Sequence, residues 1–136
     1  MPRRKKSTLR TNTVGVGIDL INLSRIKRFI KENSASDLRR LLTPRESLSY
    51  GSRKLSVMQL AKMLAAKEAF FKACGCSWMG LEGFSSIEVK CLPQSRFRVK
   101  STNSKFYAGA EGAGCFFRSE NLIGAQVILN HAVVTT

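Results

Sequence analysis

A chain of 136 residues, 43% hydrophobic and 24% charged, is long enough for one domain with a buried core and too short for two. Its apolar runs are shorter than the roughly 18 residues of a membrane span, and the basic start MPRRKK leads into polar residues instead of the apolar core of a signal peptide, so we expect a cytoplasmic protein. The formal net charge of +14 indicates a polyanionic partner, such as nucleic acid, an anionic membrane, a phosphorylated small molecule or an acidic protein.

Residues 1–12 are polar and basic, and we expect them to form a flexible arm ahead of a single domain at 13–136. Five of the basic residues lie in the first ten positions, which leaves +9 of the charge on residues 11–136. A solubilising tail is the simpler interpretation of the arm, and a nucleic-acid-binding arm is the alternative. The arm alone does not account for the charge of the protein.

The first predicted element is a strand. In TVGVGIDL, the residues Val14, Val16 and Ile18 alternate with small ones, which indicates a strand that other backbone approaches closely, and Asp19 stands at its end. This acid is placed either to meet a ligand or to cap the next helix. The following segment, LINLSRIKRFIKEN, has apolar residues at helical spacing with basic residues between them, so it predicts an amphipathic helix with a basic outer face.

Two short helices and one long helix are predicted next. Asp37 begins a helix of sequence DLRRLL, and Pro44 begins another, because proline is well placed in a first helical turn. The long helix is predicted from about Ser56, its cap, to Cys74, and Gly75 closes it in the usual C-terminal position.

Within the long helix, the stretch LAAKEAFFKACG at 64–75 places a carboxylate and an ammonium on one face. Glu68 and Lys72 are four residues apart, so their Cβ atoms lie about 5–6 Å from each other. A surface ion pair is the simplest interpretation, since such pairs are common and each adds only about 0.2–0.5 kcal/mol. A functional interpretation needs a partner from elsewhere in the chain.

The last third of the chain alternates apolar and polar residues, or is continuously apolar, as strands are. We predict a loop at 76–84, strands at 86–92, 96–101, 114–117 and 124–134, a turn at 93–95 and a short helix at 105–113. Helices in the first half followed by an antiparallel meander indicate an α+β domain.

The four cysteines do not predict a zinc site. Cys74 and Cys76 are separated by one residue, too close for the usual zinc-knuckle pair, and the chain has a single histidine, His131. We interpret the cysteines as reduced thiols.

Two separated blocks, GVGIDLINLSRI at 15–26 and LAAKEAFFKACG at 64–75, resemble the holo-acyl-carrier-protein synthases, the small bacterial members of the 4′-phosphopantetheinyl transferase superfamily. The family pattern has an early G-I/V-D-I/L strand end and a later F-A-x-K-E-A-x-x-K-A helix. RLLT at 40–43 is similar to the family's turn, and AQVIL at 125–129 to its last strand. The resemblance covers residues 14 to about 130, and it implies the 4′-phosphopantetheinyl transferase fold, with helices packed on an antiparallel sheet and one long central helix.

The resemblance implies a transferase that moves the phosphopantetheine arm of coenzyme A to a serine of an apo acyl carrier protein and releases 3′,5′-ADP. By position, Asp19 and Glu68 would hold a magnesium ion, Glu68 and Lys72 would be catalytic, and coenzyme A would contact Lys72, Gly75 and Arg118. Magnesium suits this site because it binds one or two carboxylates together with substrate phosphate, and it neutralises charge during phosphoryl transfer.

The resemblance also gives the basic first helix a partner. Arg25 matches the family's docking arginine for the acidic carrier protein, and Arg28 and Phe29 lie nearby as charged and apolar contacts. A solvated basic face is the alternative for each of them. The small members of the family are usually trimers with sites between neighbouring subunits, so we expect a homotrimer.

Three segments depart from the family pattern. Met63 stands where the family has an arginine, Gly75-Cys76-Ser77 replaces a glycine-threonine-glycine turn, and the family's late histidine either falls on Arg118 or is missing. The alternatives to a full transferase are therefore a divergent, weak or inactive relative that binds coenzyme A or carrier protein, and a small basic nucleic-acid-binding protein. The latter would lack an aromatic-rich RNA-binding strand and a recognisable helix-turn-helix.

Overall fold

The computed structural model describes residues 8–75, 80–102 and 109–135, and the side chains of 15–75, 82–102 and 109–130. The described elements are, in order, β1 (Thr8–Asn22), α1 (Leu23–Glu32), α2 (Ala35–Arg39), α3 (Pro44–Tyr50), α4 (Val57–Ala73), α5 (Gly80–Ser85), β2 (Ile87–Leu92), β3 (Arg96–Ser101), β4 (Glu111–Ser119) and β5 (Leu122–Thr135). The predicted α+β class, with one long helix and a C-terminal meander, is confirmed. Among these helices, none combines the length and the apolar character needed to span a bilayer.

The strands form one antiparallel sheet in the order β1-β5-β4-β3-β2. Strands β2 to β5 are a meander, and β1 pairs with the last strand, so the two ends of the described chain lie side by side. Helix α4 packs mainly on β1 and β5. The core therefore lies between α4 and the sheet, where Leu60, Ala65, Ala69, Phe70 and Val127 are fully buried.

The predicted ends of α4 are confirmed. The Ser56 hydroxyl accepts the N–H of Gln59, whose side-chain oxygen accepts the Ser56 N–H, so the two residues form a capping box. Gly75 follows the helix with a φ of +84°, a left-handed conformation that glycine adopts without a steric penalty. An N-cap of this kind contributes about 0.5–2 kcal/mol to stability, so the local sequence helps to fix where α4 begins.

Helix α4 approaches β1 so closely that side chains are excluded at two positions. A methyl group at Gly15 would overlap the carbonyl oxygen of Ala73, and one at Gly17 would overlap the carbonyl oxygen of Ala69. The close backbone approach predicted from TVGVGIDL is thus confirmed. It also sets the helix antiparallel to the strand, which brings Asp19 towards the middle of α4.

Several local predictions are wrong at the level of element boundaries. Strand β1 begins at Thr8, so residues 8–12, assigned to the flexible arm, pair with 131–135 of β5; residues 1–7 lie outside the described part. Helix α1 is capped by Asn22, whose side chain accepts the N–H of Arg25, and not by Asp19, which pairs within the sheet. Helix α2 begins two residues earlier than predicted, because Ser34 caps it.

Two predictions in the second half are also corrected. Residues 80–84, expected in a loop, belong to α5 (Gly80–Ser85), and residues 111–113, expected in a helix, begin β4. Pairing with both β3 and β5 explains the second difference, since tertiary pairing overrides local propensity. Residues 76–79 and 103–108 are outside the described part of the chain. The turn at 93–95 is present, with Gln94 and Ser95 at positive φ.

The face of the sheet turned away from α4 carries exposed apolar side chains. Val16 and Ile128 are opposite each other on β1 and β5, and the ring of Phe117 on β4 lies over Gly124. We call the five residues Val16, Ile18, Leu20, Phe117 and Ile128, each between 42% and 58% exposed, the apolar sheet face. A contiguous surface of this kind indicates an interaction site.

Candidate active site

A cleft of about 550 Å³ opens at the end of β1, bounded by α1, α4 and α5. Its lining includes Asp19 from β1 and Glu68 and Lys72 from α4, which lie near one another, and we call these three residues the acidic end. The structure therefore brings together the strand-end acid and the two helix residues that the sequence singled out. The lining also includes the apolar residues Leu41, Leu64 and Phe84, which we call the apolar wall.

Lys72 makes its ion pair with Asp19. Its Nζ atom donates to Asp19 Oδ1 at 2.7 Å and to the carbonyl oxygen of Ile18 at 3.2 Å. The side chain of Lys72 is 45% exposed, whereas that of Asp19 is 13% exposed. The Lys72 side chain thus reaches from helix α4 to strand β1, where its ion-pair partner is Asp19. Because a partly exposed pair is worth only about 0–1 kcal/mol, another cation or anion can exchange with either partner.

Glu68 is an acid in an unfavourable environment. Partial burial raises its pKa, the negative charge of Asp19 raises it further, and the nearby Lys72 ammonium opposes both effects. Two carboxylates in one cleft repel each other, and a cation that binds between them relieves this repulsion and so lowers the free energy of the ionised pair. The electrostatics of the acidic end therefore favour a bound positive charge.

The donor set fits magnesium better than a transition metal. Over the described residues, no group of three or more His, Cys, Asp or Glu side chains gathers at one point, so Asp19 and Glu68 would act as a pair. Carboxylate oxygens are the ligands that magnesium prefers, and the ion usually completes its shell with water and substrate phosphate. A two-carboxylate site in an open cleft meets that description.

Lys67, the residue before Glu68 in α4, is fully buried. It was not identified from the sequence as a functional residue. Its Nζ atom donates to Glu46 Oε1 at 2.7 Å, to the Leu41 carbonyl oxygen at 2.7 Å and to the Phe84 carbonyl oxygen at 2.8 Å. Burial lowers the pKa of Lys67, and Glu46 opposes that shift. The partner carboxylate lies 21 residues away in sequence, so no local pattern could have revealed the pair.

The remaining predicted site residues lie partly outside the cleft. Arg25 and Phe29 on α1 line it, whereas Arg28 is exposed on the same helix and is not part of the lining. Gly75 follows α4, and Arg118 lies near the end of β4 opposite Ile123. Neither of these two belongs to the cleft lining within one chain.

The family model of the 4′-phosphopantetheinyl transferase superfamily matches residues 15–127. The chain belongs to this superfamily. Curated relatives named holo-acyl-carrier-protein synthase, from Geotalea daltonii and from Neisseria meningitidis serogroup A, are each 40% identical over 75 residues. These matches cover 55% of this chain and 60% of the length of each relative.

Solved structures of the family extend the likeness over most of the fold. The holo-acyl-carrier-protein synthase of Neisseria meningitidis has 28% identity and a TM-score of 0.71, with 87% of this chain and 98% of that chain covered. The synthase of Bacillus anthracis, solved in complex with coenzyme A (3′,5′-ADP), has 26% identity and a TM-score of 0.66, with 90% and 98% covered. The predicted family and fold are therefore confirmed.

One departure from the family pattern has a structural explanation. Met63 is 3% exposed, so this position contributes to the core instead of reaching a ligand. The adjacent Lys62 places its Nζ atom 5.5 Å from the centre of the Phe116 ring, a cation–π distance. Lys62 therefore packs on β4 and is not in the cleft lining.

Proposed function

We propose that this chain is a holo-acyl-carrier-protein synthase, which transfers the 4′-phosphopantetheine arm of coenzyme A to a serine of an apo acyl carrier protein and releases 3′,5′-ADP. The observation that carries the proposal is the convergence of Asp19, Glu68 and Lys72 in one cleft of a chain that belongs to this superfamily. The names of the curated relatives and the coenzyme A complex of the Bacillus anthracis synthase support it.

In the proposed reaction, the serine Oγ attacks the pantetheine-bearing phosphorus, and the P–O bond to the other phosphate breaks. Asp19 and Glu68 would hold magnesium, which supplies positive charge to the pyrophosphate. The Lys72 ammonium, which lies 2.7 Å from Asp19, would stabilise the charge that develops on the leaving 3′,5′-ADP. Glu68 would also accept the serine proton on one of its carboxylate oxygens.

The coenzyme A contacts that we propose for Gly75 and Arg118 require a second subunit. Arg118 is absent from the cleft lining of its own chain, so it would have to reach the cleft of a neighbour. The apolar sheet face supports such an assembly, because it leaves five large apolar side chains exposed in one chain. We propose a homotrimer, and Leu20→Glu, which adds charge to this face, should yield monomers in size-exclusion chromatography with light scattering. Unchanged trimers would contradict that interface.

Helix α1 is the proposed docking site for the acidic carrier protein. Its exposed surface carries Arg25, Lys27, Arg28 and Lys31, and Phe29 is 37% exposed among them. Opposite charges accelerate encounter, and the acceleration falls as salt increases. Because Arg25 and Phe29 also line the cleft, a carrier protein bound there would present its serine near the acidic end.

The direct test is to incubate the protein with coenzyme A, magnesium and apo acyl carrier protein, and to measure the carrier by mass spectrometry. The added mass of the phosphopantetheine arm is the expected result. Asp19→Asn and Glu68→Gln should abolish the transfer in folded protein, whereas Glu111→Gln, an exposed acid on β4, should retain it. Absence of transfer to every carrier protein tried would overturn the enzyme function and favour an inactive, ligand-binding relative.

The nucleic-acid-binding alternative rests only on the net charge of +14. Binding to nucleic acid that disappears between about 50 and 200 mM salt would be non-specific. A sequence-preferring complex at physiological salt would favour that alternative instead. The cytoplasmic location expected from the sequence stays a prediction.

A further inference from the structure

We propose that the buried Glu46–Lys67 pair is a positioning device that fixes the apolar wall of the cleft, and that this wall holds the pantetheine arm of coenzyme A. The inference rests on the proposed function. It assigns a role to a lysine that is 0% exposed and a glutamate that is 4% exposed, neither of which lines the cleft.

The ammonium of Lys67 holds two separate segments of the wall. Its three N–H donors are matched by three acceptors: Glu46 Oε1 and the carbonyl oxygens of Leu41 and Phe84. Leu41 follows α2, whereas Phe84 belongs to α5, so the two residues are 43 positions apart in the sequence. One buried charge on α4 thus determines how far both wall residues stand from the helix that carries Glu68.

Glu46 ties this arrangement to the sheet. Its Oε1 also accepts the N–H of Thr43 at 2.8 Å, and its Oε2 accepts the N–H of Val89 on β2 at 2.9 Å. The carboxylate therefore joins the start of α3, the middle of α4 and one edge strand. Hydrogen bonds to a charged group are stronger than those between neutral groups, so the position of the wall is strongly constrained.

The geometry of α4 separates the wall from the acidic end. Leu64 and Glu68 are four residues apart and share the face towards the cleft, whereas Lys67, one residue before Glu68, points into the core. A donor whose phosphates lie at Asp19 and Glu68 would extend its arm along Leu64, Leu41 and Phe84. Pantetheine is a chain of methylene and amide groups, and its methylene groups suit a largely apolar surface.

A double variant tests the positioning role without leaving a buried charge alone. Glu46→Leu with Lys67→Met removes both charges at similar volume, a change that is often neutral or stabilising, whereas either single substitution leaves an unpaired charge. The expected result is about tenfold weaker binding of coenzyme A by calorimetry, with binding of 3′,5′-ADP, which lacks the arm, changed less than about twofold. In turnover, the KM for coenzyme A should rise while kcat stays within about threefold.

Two further variants make the test specific. Phe84→Leu trims the wall and leaves the ion pair in place, so it should give the same selective loss of coenzyme A binding. Val99→Ala removes core volume from β3, where the side chain is 2% exposed and does not line the cleft, and it should bind both ligands as the parent does.

The outcomes separate the inference from the proposed function. Parental coenzyme A binding by the folded double variant, an equal loss for both ligands, or a selective loss in Val99→Ala would each overturn the positioning role. If the double variant does not fold, parental coenzyme A binding by Phe84→Leu overturns it. Failure of the unaltered protein to bind coenzyme A would instead overturn the proposed function.

Discussion

Replacing Gly17 by alanine would place one methyl group at the point where α4 crosses β1. That methyl would overlap the Ala69 carbonyl oxygen, and it would lie 2.7 Å from the Ala73 nitrogen and 2.9 Å from the Ala69 carbonyl carbon. All three atoms belong to the helix backbone, so a side-chain rotation cannot relieve the overlap. Carbon contacts are most favourable at about 3.5–4.0 Å, and α4 must therefore move outward by roughly 1 Å or more.

This displacement should affect stability and transfer to different extents. Overpacking of this kind costs about 1–3 kcal/mol, which in urea shifts the unfolding midpoint by about 1 M for a domain of this size. Glu68 is adjacent to Ala69, so the same movement separates it from Asp19. A misplacement of about 1 Å can lower a rate about 100-fold, and we expect a loss of that order in transfer activity.

Gly51→Ala is the matched control for Gly17→Ala. Gly51 has φ of 64° and ψ of −152°, a region that is essentially restricted to glycine, and there is open space around it. Alanine at this position should cost about 1–3 kcal/mol through backbone strain without moving α4. Urea titration by circular dichroism measures the stability of both variants, and the carrier-protein mass assay measures their activity below the transition. Parental activity of Gly17→Ala, or an equal loss in Gly51→Ala, would refute the reasoning.

Three further predictions concern the charged groups of the cleft. Glu68→Gln should abolish transfer and yet raise the free energy of unfolding at neutral pH, because the raised pKa of Glu68 means that its ionised form is disfavoured in the folded state. The gain should be absent below the ordinary glutamate pKa of about 4.3, should grow as pH rises from there to the raised folded pKa, and should stay constant above it; a urea series in which the variant is less stable at pH 7 would contradict this. Lys72→Met should bind Mn²⁺ several-fold more tightly, as measured by electron paramagnetic resonance, because its ammonium competes for Asp19; weaker binding would contradict this. Arg25→Glu should raise the KM for carrier protein about tenfold at low salt, with a smaller effect at 0.5 M NaCl, whereas a salt-independent change would exclude steering.

The residues of the acidic end could be predicted from the sequence because each lies in a short motif that local rules recognise. An acid at the end of a glycine-rich strand and an i,i+4 pair on a well-capped helix each follow from short-range rules. The resemblance to the family predicted that the strand-end acid and the helix pair belong to one site, and the structure places Asp19, Glu68 and Lys72 in one cleft. What local rules could not give was the choice of partner: Lys72 pairs with a residue 53 positions away.

The features that were missed depend on contacts distant in sequence. Nothing near Lys67 distinguishes it from an exposed helix lysine, since its acceptors come from three other segments. The strand at Glu111 likewise depends on two neighbouring strands and not on its own composition. The extension of β1 back to Thr8 has the same origin, because residues that look like a polar arm acquire a partner in β5.

The contrast between Lys67 and Lys72 has a use in chemical labelling. An amine-reactive reagent can reach the half-exposed Lys72 in the folded protein, and bound ligands that cover the acidic end should slow that reaction. Lys67 has no solvent-accessible surface and all three of its protons are donated, so it can react only when the chain opens. Its labelling rate, read by peptide mass spectrometry, would therefore report the opening free energy of the core. A single helix thus contains one lysine that reports occupancy of the cleft and another that reports unfolding.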